Sequence, residues 1–433
     1  MSIESPTDLA TLVKDDEVHQ SVYTDPAIFA HELERLFGRS WIFVAHDSEI
    51  PRPGDFKTDQ LSRWRLLLVR QQDGSIGLFH NVCRHRGALL CHESYGNTQA
   101  FKCMYHGWTF ANDGALRGVP MREHMRGLDL PAHGLVPIPR VQSYQGFIFA
   151  SLAPEGESLE EYLGGAKRYL DLMVARAPDQ AIAAVKPVQY HYRGNWKLQV
   201  ENYSDNYHPA VLHHSVLSIG VQMLKEKFGD QPLNARSGGR YVERVLGHGH
   251  SMADYQGGRG ALWMNAYDDE YLRTLAKRAG TERAQELRDA DIHLIIYPNL
   301  LIHVRMNHYR VIKPVSVDHT IVNTYPCKLV GASKSVNDAL IYNTSHHVSA
   351  AGEVQVDDLQ AFNWVQEGLG SGAIEWIPFK LYGEEEHVDV QGENVSYGTS
   401  EAAIRGQYRE WARWMTAPAT NAAHASDHSA SYR

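Results

Sequence analysis

Two short segments of the chain each offer one thiol and one imidazole. The first is Cys83–His85, which reads Cys-Arg-His, and the second is Cys103–His106, which reads Cys-Met-Tyr-His, with 17 residues (86–102) between them. Thiolates and neutral imidazoles both bind metal, so this spacing predicts one site whose ligands are Cys83, His85, Cys103 and His106. A glycine follows each histidine, where a backbone without Cβ can come close to a bound group.

Three interpretations of these four residues remain open. A [2Fe–2S] cluster of the Rieske kind places both thiolates on one iron and both imidazoles on the other. A structural zinc ion takes the same ligands tetrahedrally, and unrelated core residues are the third interpretation. Zinc fingers rarely pair Cys-x-His with Cys-x-x-His inside a β-rich segment, so the pattern favours the cluster. Cys91 and Cys327 fit poorly as ligands, and we expect packed or free thiols there.

A second set of candidate metal ligands lies in the segment Glu201–His214. His208 and His213 are five residues apart, which places them about 140° apart around a regular helix, on different faces. Pro209 lacks a backbone donor for the carbonyl four residues earlier and therefore distorts the turn. A break at this point would bring both imidazoles to one metal ion. His214 adjoins His213, and the spacing alone does not choose between them.

A predicted helix that starts at Asp357 offers a carboxylate as the third ligand. Asp358 shares its helix face with Phe362 and Leu369, whereas Asp357 lies on the face of Trp364. A carboxylate on the more apolar face is costly to bury unless it is paired or bound to a metal, and we therefore choose Asp358. The alternative is an ordinary acid at a helix N-terminus. Two histidines and one carboxylate form the facial triad of non-haem iron(II) oxygenases.

The pattern along the chain predicts an α+β protein with two structured domains. Residues 1–40 are predicted to form a helical segment that packs on the second domain. Residues 41–152 are predicted to form a small all-β domain that carries the Cys/His pairs. Residues 153–416 are predicted to form a mixed domain that carries the second set of ligands, and residues 417–433 a disordered tail.

Particular elements follow from apolar periodicity and turn residues. Helices are predicted at Pro26–Phe37, Asn202–Lys225, Thr281–Asp289, Asp357–Gly368 and Ala402–Trp414. Strands are predicted at Val188–Tyr192, Asp291–Tyr297, Leu300–Tyr309 and Thr320–Leu329.

The composition excludes several classes of protein. The chain has 433 residues, with 42 basic and 51 acidic side chains and a formal net charge of −9. This charge argues against nucleic acid or an anionic membrane surface as the main partner. Four cysteines exclude a disulfide scaffold, and 24 histidines are compatible with metal chemistry. Because there is neither an apolar run of 18 residues nor a secretory signal, we expect a cytoplasmic location.

Taken together, these residues resemble those of the α subunits of Rieske non-haem iron aromatic-ring-hydroxylating oxygenases. The resemblance covers most of the chain in the family's order, and it rests on the Cys/His signature, the segment Glu201–His213 and Asp358. It implies an all-β Rieske domain followed by a catalytic domain whose antiparallel sheet is surrounded by helices, a helix-grip (START-like) fold. It also implies a [2Fe–2S] cluster and a mononuclear Fe(II) ion as cofactors.

The resemblance further implies how electrons reach the iron. In the family, an aspartate at the position of Asp205 bridges a cluster histidine of one subunit to an iron histidine of its neighbour, here His106 and His208. This bridge implies an α3 trimer, or α3β3 with a small β subunit. A separate reductase, with or without a ferredoxin, supplies the electrons from NAD(P)H, because the chain lacks a Gly-x-Gly-x-x-Gly fingerprint. O₂ is the co-substrate, and an aromatic ring gains one or two hydroxyl groups.

The substrate is less constrained by the sequence. An arginine that faces a pocket from the predicted strand Leu300–Tyr309 would bind a carboxylate through two hydrogen bonds. Arg305 and Asn299 are therefore the candidate substrate-binding residues, and an aromatic carboxylic acid is the favoured substrate. A solvated sheet face is the alternative for Arg305. Two other functions remain open, a Rieske monooxygenase that removes N- or O-methyl groups and a non-enzymatic Rieske electron carrier.

Overall fold

The structure of the chain is a computed structural model that describes residues 9–61, 63–219, 222, 241–255 and 266–417. Its helices are α1 (Ser21–Thr24), α2 (Pro26–Arg35), α3 (Leu159–Leu163), α4 (Lys167–Ala175), α5 (Trp196–Ser204), α6 (Pro209–Leu212), α7 (Asp269–Ala279), α8 (Thr281–Asp289), α9 (Lys334–His347), α10 (Gln355–Gly370) and α11 (Ala402–Thr416). Among these described helices, none has both the length and the apolar composition of a bilayer-spanning segment. Residues 418–433 of the predicted disordered tail lie outside the described residues.

The first β-rich region consists of small antiparallel sheets. Its strands are β2 (Ile42–His46), β3 (Asp55–Leu61), β4 (Trp64–Arg70), β5 (Ile76–His80), β6 (Tyr95–Asn97), β7 (Ala100–Lys102), β8 (Thr109–Ala111), β9 (Leu116–Gly118), β10 (Arg140–Tyr144) and β11 (Phe147–Ser151). They pair in the orders β10-β11-β2, β5-β4-β3-β6 and β7-β8-β9. An apolar core between the second and third of these sheets includes Phe56, Phe101 and Phe110, and it encloses Cys83 and Cys103.

The second region is built on one large antiparallel sheet. Its strands are β12 (Ile182–Ala184), β13 (Val188–Tyr192), β14 (Val242–Gly247), β15 (His250–Asp254), β16 (Ile292–Ile296), β17 (Leu300–His303), β18 (His308–Ser316), β19 (His319–Leu329), β21 (Glu384–Val388) and β22 (Asn394–Tyr397). The order is β12-β19-β18-β17-β16-β15-β14-β22-β21, and β13 also pairs with β19.

The two faces of this sheet pack against different parts of the chain. Alternation along a strand sends Ile312 of β18 to one face and Val311 to the other. Ile312 joins a core with α5, α10 and α11. Val311 joins a second core, which includes α3, α4 and apolar side chains of β2 and β11 from the first region. The candidate ligands of the second set lie on and beside α5 and α10, on the first of these faces.

Buried polar contacts join the two regions. Nζ of Lys57 on β3 lies 2.8 Å from the Glu49 carboxylate and donates to the hydroxyl of Tyr325 on β19 at 3.2 Å. The amide of Asn299 accepts from the backbone N–H of Phe43 and donates to its carbonyl, both at 3.0 Å. Because these groups are buried and paired, they fix the first region against the sheet.

The N-terminal segment packs on the second region. A short strand, β1 (Glu17–His19), pairs with β20 (Trp376–Pro378). On α2, the buried carboxylate of Glu32 accepts hydrogen bonds from Lys197 at 2.6 Å, Trp196 at 2.8 Å and Trp411 at 2.7 Å. This single carboxylate therefore connects α2 with α5 and α11.

The substitution Glu32→Ala should strongly destabilise the protein. It leaves the buried ammonium of Lys197 without its carboxylate, and breaking such a pair costs about 3–5 kcal/mol of unfolding free energy. Glu34→Ala is the matched control, because Glu34 lies on the same helix in an exposed pair with Arg63; its effect should stay below about 1 kcal/mol. Urea unfolding of both variants measures the difference, and equal stabilities would contradict the prediction.

The predicted strand Leu300–Tyr309 is wrong, because the chain turns within it. β17 ends at His303, β18 begins at His308, and Asn307 in the turn between them has a φ of 53°. Asparagine adopts this left-handed conformation more readily than most residues, and its side chain donates to the carbonyl of Cys327 at 2.8 Å. The turn contains no glycine or proline, and the alternation continues through it. Arg305 therefore lies in a turn.

The helix predictions have mixed outcomes. The bounds Thr281–Asp289 are confirmed, and so is the strand Val188–Tyr192. The predicted helix Asn202–Lys225 is interrupted, since α5 ends at Ser204 and α6 starts at Pro209; residues 214–219 are helical again, and 223–225 lie outside the described residues. Helix α9 was not predicted, although Ser333 caps it by accepting from the backbone N–H of Val336.

Candidate metal centres

The two Cys/His segments form loops of the same backbone construction. In the first loop the carbonyl of Cys83 accepts from the N–H of Gly87 at 3.0 Å, and in the second the carbonyl of Cys103 accepts from Gly107 at 2.9 Å. Gly87 and Gly107 have φ angles of 71° and 74°. Glycine adopts this left-handed conformation without steric cost, so each loop closes tightly after its histidine.

The loops bring like side chains together. Cys83 and Cys103 are both buried in the same apolar core. The rings of His85 and His106 lie with their centroids 4.6 Å apart. The four predicted ligands thus form a pair of neighbouring thiols and a pair of neighbouring imidazoles, which is the grouping that a cluster with two cysteines on one iron and two histidines on the other needs.

The donor atoms of these loops fit a bound cluster. Nδ1 of His85 is buried and has no hydrogen-bond partner among the described residues, although buried polar atoms normally have one. Burial, with His106 adding to it, lowers the pKa of His85 and keeps its ring neutral, as a metal ligand must be. Burial raises the pKa of the Cys83 thiol, whereas the backbone amides of His85 and Arg86 oppose this rise. Such amides stabilise a negatively charged sulfur.

His208, His213 and Asp358 converge in the second region. Nε2 of His213 lies 3.1 Å from Oδ1 of Asp358, and Nε2 of His208 lies 3.6 Å from the same oxygen. One donor atom of each residue lies within 4.8 Å of the other two. One ion can bind three donors at this spacing, and two imidazoles with one carboxylate are the donor set of non-haem iron(II).

The geometry distinguishes the alternatives that the spacing left open. His214 is exposed and lies outside this group. Oδ2 of Asp357 lies 3.4 Å from Nδ1 of His213, the ring nitrogen that does not face Asp358. The Asp357 side chain is 33% exposed and that of Asp358 only 6%. Asp358 therefore lies at the centre of the group, and Asp357 holds the outer side of one imidazole.

The interruption between α5 and α6 positions the two histidines. Asp205, which ends α5, has an extended conformation with φ −78° and ψ 114°. Pro209 then occupies the first turn of α6, where a missing backbone N–H has no cost. His208 precedes this new helix and His213 follows it, so that both rings face Asp358 on the first turn of α10.

The charges at this point favour a cation. Burial alone would lower the pKa of His213, but Asp358, followed by Asp357, outweighs burial, and the pKa of His213 is raised above its ordinary value. The carboxylates therefore stabilise positive charge next to the ring. A divalent cation provides this charge while the imidazole itself stays neutral.

Asn202 is a site residue that sequence reasoning missed. Its Nδ2 lies 3.2 Å from Nε2 of His208 and donates to Oδ1 of Asp358 at 3.1 Å. It thus contacts two of the three candidate ligands from the last turn of α5. Its place in the segment Glu201–His214 was the only signal in the sequence.

Asp205 lies next to an iron-ligand candidate. Its Oδ2 is 3.1 Å from Nδ1 of His208, and its Oδ1 accepts from the backbone N–H of Tyr207 at 2.6 Å. The carboxylate is partly exposed. One side of Asp205 therefore faces His208, and the other side is exposed.

The two candidate substrate residues lie away from this group. Both amide atoms of the buried Asn299 bond to the backbone of Phe43, so this side chain joins the two regions. Arg305 is buried in the turn after β17, where its carbonyl accepts from the hydroxyl of Tyr267. Among the described contacts, neither residue touches His208, His213 or Asp358.

Known proteins match both regions of the chain. A family model described as the Rieske [2Fe-2S] domain matches residues 40–144, and one described as the ring hydroxylating alpha subunit (catalytic domain) matches residues 179–417. The 2-halobenzoate 1,2-dioxygenase large subunit of Burkholderia cepacia is 32% identical, over 82% of this chain and 78% of its own length. The N,N-dimethyl phenylurea N-demethylase subunit alpha of Sphingobium sp. (strain YBL2) is 39% identical, over 61% of this chain and 58% of its own.

A solved structure shows the same fold. Naphthalene 1,2-dioxygenase with indole bound in the active site superposes with a TM-score of 0.81 at 26% sequence identity, and the match covers 94% of each chain. The expected fold, an all-β Rieske domain followed by a catalytic domain, is confirmed, and so are the expected [2Fe–2S] cluster and non-haem iron. The zinc and electron-carrier alternatives are wrong, because the matches include a Rieske cluster domain and a catalytic domain. The chain therefore belongs to the Rieske aromatic ring-hydroxylating oxygenases, as an α subunit.

Proposed function

We propose that this chain hydroxylates an aromatic ring at an iron ion held by His208, His213 and Asp358. We further propose that its electrons pass through a [2Fe–2S] cluster whose ligands are Cys83, His85, Cys103 and His106. The observation that carries the proposal is the convergence of three donor atoms within 4.8 Å of one another. Asp358 contributes its carboxylate from the buried face of α10. The β domain of the same chain contains the two Cys/His loops.

The residues around the iron orient its ligands. When bound, the cluster supplies electrons and the ferrous ion activates O₂ for insertion into the ring. His208 and His213 both direct Nε2 towards the centre, whereas Asp205 and Asp357 lie beside the Nδ1 atoms. Carboxylates in this place keep the proton on Nδ1 and leave Nε2 free to bind metal. This argument applies to His213, whose Nδ1 bonds to Asp357 at 3.4 Å; Nδ1 of His208 lies 3.1 Å from Asp205 without a hydrogen bond, so Asp205 acts on that ring through its charge.

Asp205 is proposed to connect the iron to the cluster of a neighbouring subunit in an α3 ring. In the second cluster loop, Met104 and Tyr105 are 81% and 61% exposed; beside Asp205, Tyr207 and Val211 are 66% and 79% exposed. Apolar surface at both metal sites suits an interface between two different patches of the same chain. Such head-to-tail contacts close into rings.

Further partners are proposed from the family. Its members are oxygenase components that take electrons from a reductase or a ferredoxin, so NAD(P)H is used by a partner protein. A small β subunit would give an α3β3 assembly. A second candidate function is oxidative N- or O-demethylation, because one relative is an N-demethylase subunit and 39% identical to this chain.

Oxygen uptake tests the proposed function. With NADH, a reductase of this family and a panel of aromatic compounds, O₂ consumption should rise at least about tenfold over the same mixture without an aromatic compound. The mass of the product identifies the reaction: a cis-diol gains two oxygen and two hydrogen atoms, a phenol gains one oxygen, and demethylation releases formaldehyde. If the reductase reduces the cluster but no aromatic compound raises O₂ uptake, the proposal is wrong.

A further inference from the structure

Three histidines form a row across the large sheet. His293 on β16 pairs in register with His303 on β17, which pairs with His308 on β18. The ring centroids are 4.3 Å and 5.4 Å apart along the row. Arg310 follows His308 by two residues and therefore projects from the same face. This face is covered by α5, because Tyr203 of that helix stacks on His293 at 4.9 Å.

The guanidinium of Arg310 is buried without a carboxylate partner. One of its nitrogens donates to Oε1 of Gln355 at 2.7 Å, and the group lies 5.3 Å from the centroid of the Tyr203 ring. Its Nε is buried and has no hydrogen-bond partner among the described residues, and none of the described carboxylates forms an ion pair with it. A buried charge of this kind is costly unless an opposite charge reaches it.

Three other buried cations of the described chain have the carboxylate partner that Arg310 lacks, whereas Arg176 and Arg305 are buried without one. Lys57 lies 2.8 Å from the carboxylate of Glu49, and Lys197 lies 2.6 Å from that of Glu32. Arg405 is paired with Glu386 at 2.9 Å. Arg310 is distinguished by its position, because it lies among unpartnered polar atoms next to residues of the iron site.

Polar atoms beside Arg310 also lack partners. Both ring nitrogens of His308, Nε2 of Gln355 and the hydroxyl of Tyr203 are buried without a hydrogen-bond partner among the described residues. Burial, together with Arg310 and His293, keeps the pKa of His308 well below its usual range, so that its ring is neutral and offers one N–H donor. Unpartnered buried polar atoms in native proteins call for a specific explanation, and a bound ligand is one.

This set of side chains adjoins the iron site. Gln355, which accepts from Arg310, stands three residues before Asp358 on α10, and both side chains are buried. Residues three apart lie on the same face of a helix. Tyr203, which lies beside the guanidinium, follows Asn202, whose amide contacts His208 and Asp358. Arg310 therefore contacts two side chains that are close neighbours, along their helices, of residues of the iron site.

We propose that Arg310 binds the carboxylate of an anionic aromatic substrate, with His308 and Gln355 as neighbouring hydrogen-bond donors. A guanidinium offers two parallel N–H groups that match the two oxygens of a carboxylate. The inference rests on the proposed function, because it places the ring of that substrate at the iron. It moves the carboxylate-binding role from Arg305, in the turn, to Arg310, on the strand.

Calorimetric titration of the holoenzyme with benzoate and with its neutral isostere benzamide tests this role. Arg310→Gln should weaken benzoate binding about 100-fold, as expected for loss of a charge-assisted pair, and change benzamide binding by less than about threefold. Arg310→Lys keeps the charge but not the fork, and its benzoate affinity should fall between those of Arg310→Gln and the wild type. In turnover with benzoate, KM should rise while kcat stays nearly constant, because the lost contact exists before the reaction as well as during it.

Three results would overturn the proposal: equal loss of benzoate and benzamide binding, unchanged benzoate binding in Arg310→Gln, or loss of benzoate selectivity in Arg305→Gln instead. The cluster spectrum and the iron content identify folded variants. If Arg310→Gln does not fold, the benzoate affinity of Arg310→Lys provides the test. An enzyme that hydroxylates neutral rings but does not bind benzoate would refute the inference and leave the proposed function intact. An enzyme that binds benzoate through Arg310 but hydroxylates no ring would refute the proposed function alone.

Discussion

Replacement of Asp358 by alanine should remove the mononuclear iron and leave the [2Fe–2S] cluster in place. The substitution takes away the only carboxylate among the three converging donors, and two imidazoles do not make the facial triad of an iron(II) site. Because the cluster loops belong to the other domain and have a separate core, their spectrum should not change. Turnover should fall at least about 100-fold with the iron.

Asp357→Ala is the matched control, one residue away on the same helix. Within the described part of the chain, the Asp357 side chain contacts the outer nitrogen of His213 and is one-third exposed, so its removal should weaken iron binding by no more than about tenfold. Metal analysis of the two purified variants, with the electron paramagnetic resonance signal of the reduced cluster, measures both centres. Iron lost from Asp357→Ala and kept by Asp358→Ala would reverse the assignment of the ligand.

Asp205→Asn should reduce turnover at least about 100-fold while both metal centres stay occupied. Asparagine keeps the oxygen that accepts from the N–H of Tyr207, so the segment between α5 and α6 retains its conformation. The substitution removes the negative charge beside Nδ1 of His208, and with it the proposed connection to the cluster of the neighbouring subunit.

A pre-reduced cluster separates this role from a purely structural one. When substrate and O₂ are added, reoxidation of the cluster should be slow in Asp205→Asn and fast in the wild type, at equal iron content. Asp205→Ala should also show slow reoxidation of the cluster, and it loses the oxygen that accepts from the N–H of Tyr207. Rapid reoxidation of the cluster in Asp205→Asn would contradict the bridging role.

The candidate metal ligands could be proposed from sequence because most of their geometry is local. Each cluster loop closes within five residues, from Cys83 to Gly87 and from Cys103 to Gly107. The spacing of residues in the sequence is therefore enough to indicate the conformation of the loop. The break near Pro209 is local as well. The choice of Asp358 over Asp357 required only the apolar face of one helix, and the burial of these two side chains agrees with that choice.

The substrate side of the site could not be predicted in the same way, because it depends on strand register. The histidine row combines residues from three strands, and only the pairing of β16, β17 and β18 aligns them. The turn between β17 and β18 contains no glycine or proline, so the alternating pattern predicts one long strand. In that predicted strand Arg305, and not Arg310, is the candidate for binding a carboxylate. Asn202 has no recognisable sequence signal, because its contacts depend on the tertiary structure. It reaches His208 across the interruption between α5 and α6, and Asp358 on α10.

The buried contacts between the two regions have a consequence for how the enzyme fails. Lys57 with Tyr325, and Asn299 with Phe43, hold the β domain against the large sheet. A domain fixed by these buried contacts cannot rotate to bring its cluster close to the iron of the same chain. Under the proposed ring arrangement, a chain that leaves the assembly keeps both metal centres, but no neighbouring cluster can pass electrons to its iron. Such a chain is expected to hydroxylate no substrate, so that activity depends on an intact ring.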